Sequence, residues 1–103
     1  MIADKDSFYF TQGDGRNALF KIAKSGGEAV KIAPNINHAY KFYGDETSIY
    51  FVRNESSFET SISKVAKSGS EVTMLDTGHI ASFAVATDKI YVSDVVKIYA
   101  LGK

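Results

Sequence analysis

Apolar residues come in short runs, and each run is cut by Gly, Asn, Asp or Ser before a helical stripe can develop. No apolar pattern of helical period extends beyond about two turns. Tyr, Phe, Ile, Val, Thr and Ser dominate the runs, the composition of strands joined by turns. The pattern predicts strands over Ser7–Gln12, Ala18–Lys24, Glu28–Ala33 and His38–Tyr43. Turns are expected at 13–17, at Ser25-Gly26-Gly27, at 34–37 (where Pro34 cannot donate to a ladder) and at 44–47. A second cycle follows, with strands over Ser48–Val52, Thr60–Lys67, Glu71–Leu75 and His79–Val85. Asp76-Thr77-Gly78 is expected to break the chain between the last two of these. Lys89–Ser93 and Val96–Lys103 begin a third cycle.

The cycles are copies of one another. Lys21-Ile22-Ala23-Lys24-Ser25-Gly26-Gly27-Glu28 returns as Lys64-Val65-Ala66-Lys67-Ser68-Gly69-Ser70-Glu71, and a third version starts at Lys97-Ile98-Tyr99-Ala100. Tyr9, Tyr50 and Tyr91 are spaced by 41 residues, and so are His38 and His79. A period near 40 residues with four short strands in each is the pattern of β-propeller blades. The expected fold is all-β, built from propeller blades of four antiparallel strands, about two and a half per chain. The blades fall at about 1–37, 38–78 and 79–103, the last incomplete.

The runs Tyr9-Phe10-Thr11-Gln12, Tyr50-Phe51-Val52-Arg53 and Tyr91-Val92-Ser93-Asp94, with the Lys-Ser-Gly hairpins, carry a resemblance. The chain resembles the YWTD-type repeats of six-bladed propellers of the low-density-lipoprotein-receptor class and their bacterial relatives. Phe10, Phe51 and Val92 stand at the tryptophan position, and Asp94 alone keeps the final acidic position. The resemblance implies that His38–Tyr43 and His79–Val85 are innermost strands lining a central channel. It also implies that Tyr9, Tyr50 and Tyr91 lie on second strands. Phe8 with Phe10, Ile49 with Phe51, and Ile90 with Val92 would then share a sheet face within each blade.

Propellers close with four or more blades, so two and a half leave apolar sheet faces open at both ends. Burying one such face is worth several kcal/mol at roughly 25 cal/mol per Å². Two partners are therefore expected: a second copy of this chain, completing a ring of about six blades, or the rest of a longer propeller.

Composition narrows the other classes. Twelve basic and twelve acidic residues cancel without any run of like charge, which argues against nucleic acid and anionic membrane surfaces. The absence of cysteine removes disulfides, thiolate metal sites and cysteine nucleophiles. No run approaches the ~20 apolar residues of a membrane helix, and Met1-Ile2-Ala3-Asp4 has no signal-peptide character. None of this assigns a compartment.

Candidate chemistry gathers where the inner strands begin. Asn35, Asn37, His38, Tyr40, Asp76 and His79 form the expected polar ring at the channel mouth, the candidate ligand-binding site. His38 and His79, the two histidines, could ligate zinc, nickel or copper, but equivalent histidines in a repeat also arise from a shared structural hydrogen bond. No cofactor is expected. Asp4, Asp6, Asp45, Glu46 and Asp88 precede second strands and read as turn residues bonding their own backbone. Gly13-Asp14-Gly15 lacks the ligand pattern of a calcium loop and the following helix of a phosphate loop. Ser25, Ser68 and Ser70 sit in hairpins with no nucleophile motif. Lys24, Lys67 and Lys103 recur at one blade position and read as a solvated rim.

The function expected is a non-enzymatic binding or protein-interaction module, and catalytic residues are not expected. One alternative is a propeller enzyme of lactonase or lyase type with a channel metal, against which the acid-free stretches Tyr40–Tyr43 and Ser82–Val85 count. Another is an excised or designed propeller fragment with no function of its own.

Overall fold

The computed structural model describes residues 2–12, 18–34, 36, 39–55, 59–69, 71–94 and 96–103. Within them the chain forms eleven strands, all paired antiparallel, and no helix. The first sheet holds β1 (Ile2–Ala3), β2 (Ser7–Gln12), β3 (Ala18–Ala23) and β4 (Val30–Ala33) in sequence order. The second holds β5 (Ala39–Gly44), β6 (Ser48–Asn54), β7 (Thr60–Ala66) and β8 (Thr73–Gly78), again in order. The third has β9 (Ser82–Val85), β10 (Lys89–Ser93) and β11 (Ile98–Gly102). Each sheet is an open meander, and none closes on itself.

The expected strands are present, with shifted limits. β4 starts at Val30 rather than Glu28, and ends at Ala33 before Pro34. Asp76-Thr77-Gly78 does not break the chain, a correction to the sequence reading. β7 is seven residues long and offers Thr60, Ser61 and Ile62 as partners for Gly78, Thr77 and Asp76. A register shift between Ile62 and Ser63 absorbs the mismatch. β5 carries a similar irregularity between Tyr40 and Tyr43, where Lys41 takes a φ of 55°.

A turn forms at each Ser-Gly, but the tight hairpin expected there does not: β3 ends at Ala23 and β4 starts at Val30, and β7 ends at Ala66 and β8 starts at Thr73. Gly26 and Gly69, at φ 105° and 93°, donate their amides to the carbonyls of Ala23 and Ala66. A side chain is disfavoured at such angles, which accounts for glycine at the fourth position of both turns.

The sheets stack face to face in chain order. β1 packs beside β5, and β5 beside β9, so the first strands of the three sheets are neighbours. β6 shows how the middle sheet is used on both sides. Ile49 and Phe51 point with Val65 into a core shared with Tyr9, Leu19, Ile32 and Ala33 of the first sheet. Tyr50 and Val52 point with Ile62 into a second core, shared with Phe83, Ile90 and Val92 of the third. Successive residues of a strand face opposite ways, so a continuous apolar run is what a strand covered on both sides requires.

Among the described residues, each outer sheet has one face covered by another sheet. Phe8, Phe10, Phe20 and Ile22 are paired across β2 and β3 on the face opposite Tyr9. Phe10 and Phe20 stack with ring centroids 5.8 Å apart, and Phe8 is 37% exposed. At the other end Tyr91, paired with Ala84 and Ala100, is 48% exposed.

Candidate functional site

One side-chain arrangement occurs twice, and it ties each sheet to the next. The turn between β1 and β2 opens at Asp4, whose Oδ1 accepts the amides of Asp6 and Ser7 at 2.9 and 2.8 Å. Its Oδ2 accepts the Tyr9 hydroxyl at 2.8 Å and the ammonium of Lys67, from the second sheet, at 3.0 Å. Asp45 repeats this between β5 and β6. Oδ1 accepts the amides of Thr47 and Ser48 at 2.9 and 2.8 Å. Oδ2 accepts Tyr50 at 2.7 Å and Lys103, from the third sheet, at 2.9 Å. Each ammonium also lies over its tyrosine ring, 5.3 Å from Tyr9 for Lys67 and 5.6 Å from Tyr50 for Lys103.

Part of this was readable. Of the acids read as turn residues, Asp4 and Asp45 bond their own turn backbones as expected. The lysine reading is corrected for Lys67 and Lys103, whose side chains are only 12% and 18% exposed and ion-paired. The reason is the stacking, which carries the hairpin of one sheet over the first turn of the one before. Lys24 is exposed, with its ammonium over the Phe8 ring at 5.4 Å, and makes no ion pair among the described residues. A sequence signal for the latch existed: Asp4 and Asp45 are spaced by the same 41 residues as the tyrosines.

In the third sheet the equivalent turn keeps its backbone bond, Ala86 amide to Lys89 carbonyl at 2.8 Å, but Ala86 supplies no carboxylate. The three turns, with Lys67 and Lys103, line an open groove of about 880 Å³.

The electrostatics are those of satisfied pairs. Hydrogen bonds from Lys67, Tyr9 and the turn amides hold the Asp4 carboxyl well below the usual carboxylate range. Burial pulls Asp45 upward, but Lys103, Tyr50 and the amides of Thr47 and Ser48 outweigh it and set its carboxyl well below that range too. Burial and the facing carboxylate push the Tyr9 and Tyr50 hydroxyls up to about 12. A carboxylate that stays ionised and a phenol that stays protonated are poorly matched to proton transfer near neutral pH. Their chemistry is to hold two sheets in register.

Of the six residues expected at a channel mouth, Tyr40, Asp76 and His79 are described. Asn35, Asn37 and His38 lie outside the described residues. Tyr40 is on β5, at one edge of the second sheet, with its hydroxyl 3.4 Å from Asn54 Oδ1. Asp76 is on β8, at the opposite edge, where its Oδ2 accepts the Tyr99 hydroxyl of the third sheet. That bond, with burial, pushes Tyr99 up to about 12. His79 is exposed just beyond β8. Among the described residues no group of three His, Asp or Glu side chains converges in a way that could hold a metal ion.

The β5–β6 turn at Asp45 lies at the far end of β5 from Tyr40, so the groove and the expected mouth occupy opposite ends of the sheets. Comparison with protein-family models, curated proteins and solved structures returns no match to this chain. Among the described residues no helix is long and apolar enough to cross a membrane.

Proposed function

We propose that the chain is a non-enzymatic protein-interaction module: a run of β-propeller-type blades, similar to YWTD repeats, whose end faces are its binding surfaces. The observation that carries this reading is the equivalence of faces along the stack. Ile49, Phe51 and Val65 of the second sheet, and Ile90 and Val92 of the third, are buried against the sheet before them. Phe8, Phe10, Phe20 and Ile22 occupy the same places in the first sheet, and among the described residues no sheet packs over them. In-order meanders with their first strands side by side also support blades. The paired state of Asp4 and Asp45 in the groove favours a binding role over catalysis.

An environment-sensitive apolar dye tests the reading, at a dilution where the mass is that of one chain. Binding to the folded wild type, and its marked loss in Phe10→Ser/Phe20→Ser, is the expected result. A folded single chain that leaves the dye dark overturns the open-face reading.

A further inference from the structure

We infer that the open face of the first sheet is the docking site for the open face of the third sheet of a second copy, joined head to tail. This rests on the reading of the end faces as binding surfaces. The same joint is already made twice within one chain. In each case a face built like Phe8-Phe10-Phe20-Ile22 meets a face that carries a tyrosine of the 41-residue series: Ile49 and Phe51 against Tyr9, then Ile90 and Val92 against Tyr50. One face of each kind is left over, the first sheet's aromatic face and the third sheet's Tyr91 face. Two copies supply each other with both, so neither end stays uncovered.

Charge marks the same joint. Lys24 follows β3 as Lys67 follows β7, and their amides make the same bond, to the Asp6 and Thr47 carbonyls at 2.8 Å. In a head-to-tail joint Lys24 therefore meets the Ala86-Thr87-Asp88 turn, as Lys67 meets the turn of Asp4. Lys24 brings an ammonium without an ion pair among the described residues, and Asp88 is the acid of the facing turn. Ala86 stands where Asp4 and Asp45 bind their lysines. The seam between copies thus has the apolar contact and the lysine of the internal joints but not their carboxylate, and it opens and closes more readily than they do.

Sedimentation equilibrium over a wide concentration range tests this, with far-ultraviolet circular dichroism to verify folding of every variant. The wild type is expected to reach a two-chain mass reversibly. Phe10→Asp blocks the head and Tyr91→Asp blocks the tail, so each alone should remain a single chain. Mixed together they retain one good head and one good tail, and the two-chain mass should return. Ala86→Asp should tighten association about two- to five-fold by completing a third latch, and Lys24→Met should cancel that gain.

A mixture that stays monomeric overturns the head-to-tail assignment. So does a two-chain mass in either blocked variant alone, or an Ala86→Asp effect indifferent to Lys24. A wild type at one-chain mass throughout overturns the second copy as occupant, while the dye result still decides separately whether the faces are open.

Discussion

Asp4 and Asp45 each accept four hydrogen bonds, two from their own turn and two that fasten a tyrosine and a lysine. The lysine contact is partly exposed and salt-screened, so its own worth is at most about 1 kcal/mol. The carboxylate matters more, because removing it leaves the hydroxyl of a buried tyrosine and an ammonium short of an acceptor. Asp45→Asn is expected to lower stability by about 1–2 kcal/mol in urea denaturation, and Lys103→Met by less than half of that. The pH dependence follows from the same contacts. The folded carboxyls lie below their unfolded value of about 3.9, so their contribution is full above that pH and drains away as pH falls through the folded values. Tyr9, Tyr50 and Tyr99 are raised to about 12, so their contribution is full below pH ~10 and is lost as pH rises from there to about 12. Denaturation at a series of pH values should therefore show losses at both extremes, and absorbance titration should show a late-ionising group of tyrosines.

At the scale of the strand, what a residue is worth depends on which face of which sheet it occupies. Phe51 and Phe10 hold equivalent places, yet Phe51 is fully buried and Phe10 only half-buried. Phe51→Ala should cost about 3–5 kcal/mol in a single chain, and Phe10→Ala no more than about 1–2. Strand β7 contains a local conflict: Ser61 is fully buried and its Oγ has no partner among the described residues. Ser61→Ala removes an unsatisfied hydroxyl with almost no change in volume, so thermal unfolding should show it neutral or stabilising by up to about 1 kcal/mol. The same strands show how far the pattern could be read. The Ser-Gly turns and the cores of β2, β6 and β10 stand out in the chain because glycine angles and apolar runs are local properties. The limits of β8 do not, because pairing with Thr60–Ile62 kept Asp76-Thr77-Gly78 in the sheet against their turn propensity.

For the whole molecule, an end face that finds a partner links folding to concentration. If two copies join as inferred, the midpoint of thermal unfolding rises with protein concentration. Phe10→Asp should abolish that dependence even where it leaves the single chain folded. A midpoint independent of concentration in the wild type, across the range where association is measured, contradicts the linkage. Stacked units that touch only their neighbours also share stability along the line, so the middle sheet, covered on both faces, should resist hydrogen exchange best.

The sequence by itself determined the all-β class, the succession of strands, the 41-residue spacing of Tyr9, Tyr50 and Tyr91 and the turn role of Asp4 and Asp45. Each of these rests on local propensity or on the alternation of side chains along one strand. Only the tertiary structure decided that Lys67 reaches Asp4 and Lys103 reaches Asp45, contacts between residues 63 and 58 positions apart. It likewise parted Tyr40 from Asp76, to opposite edges of one sheet. Which sheet covers which face is settled by the stacking of distant segments, and no local pattern encodes that distance.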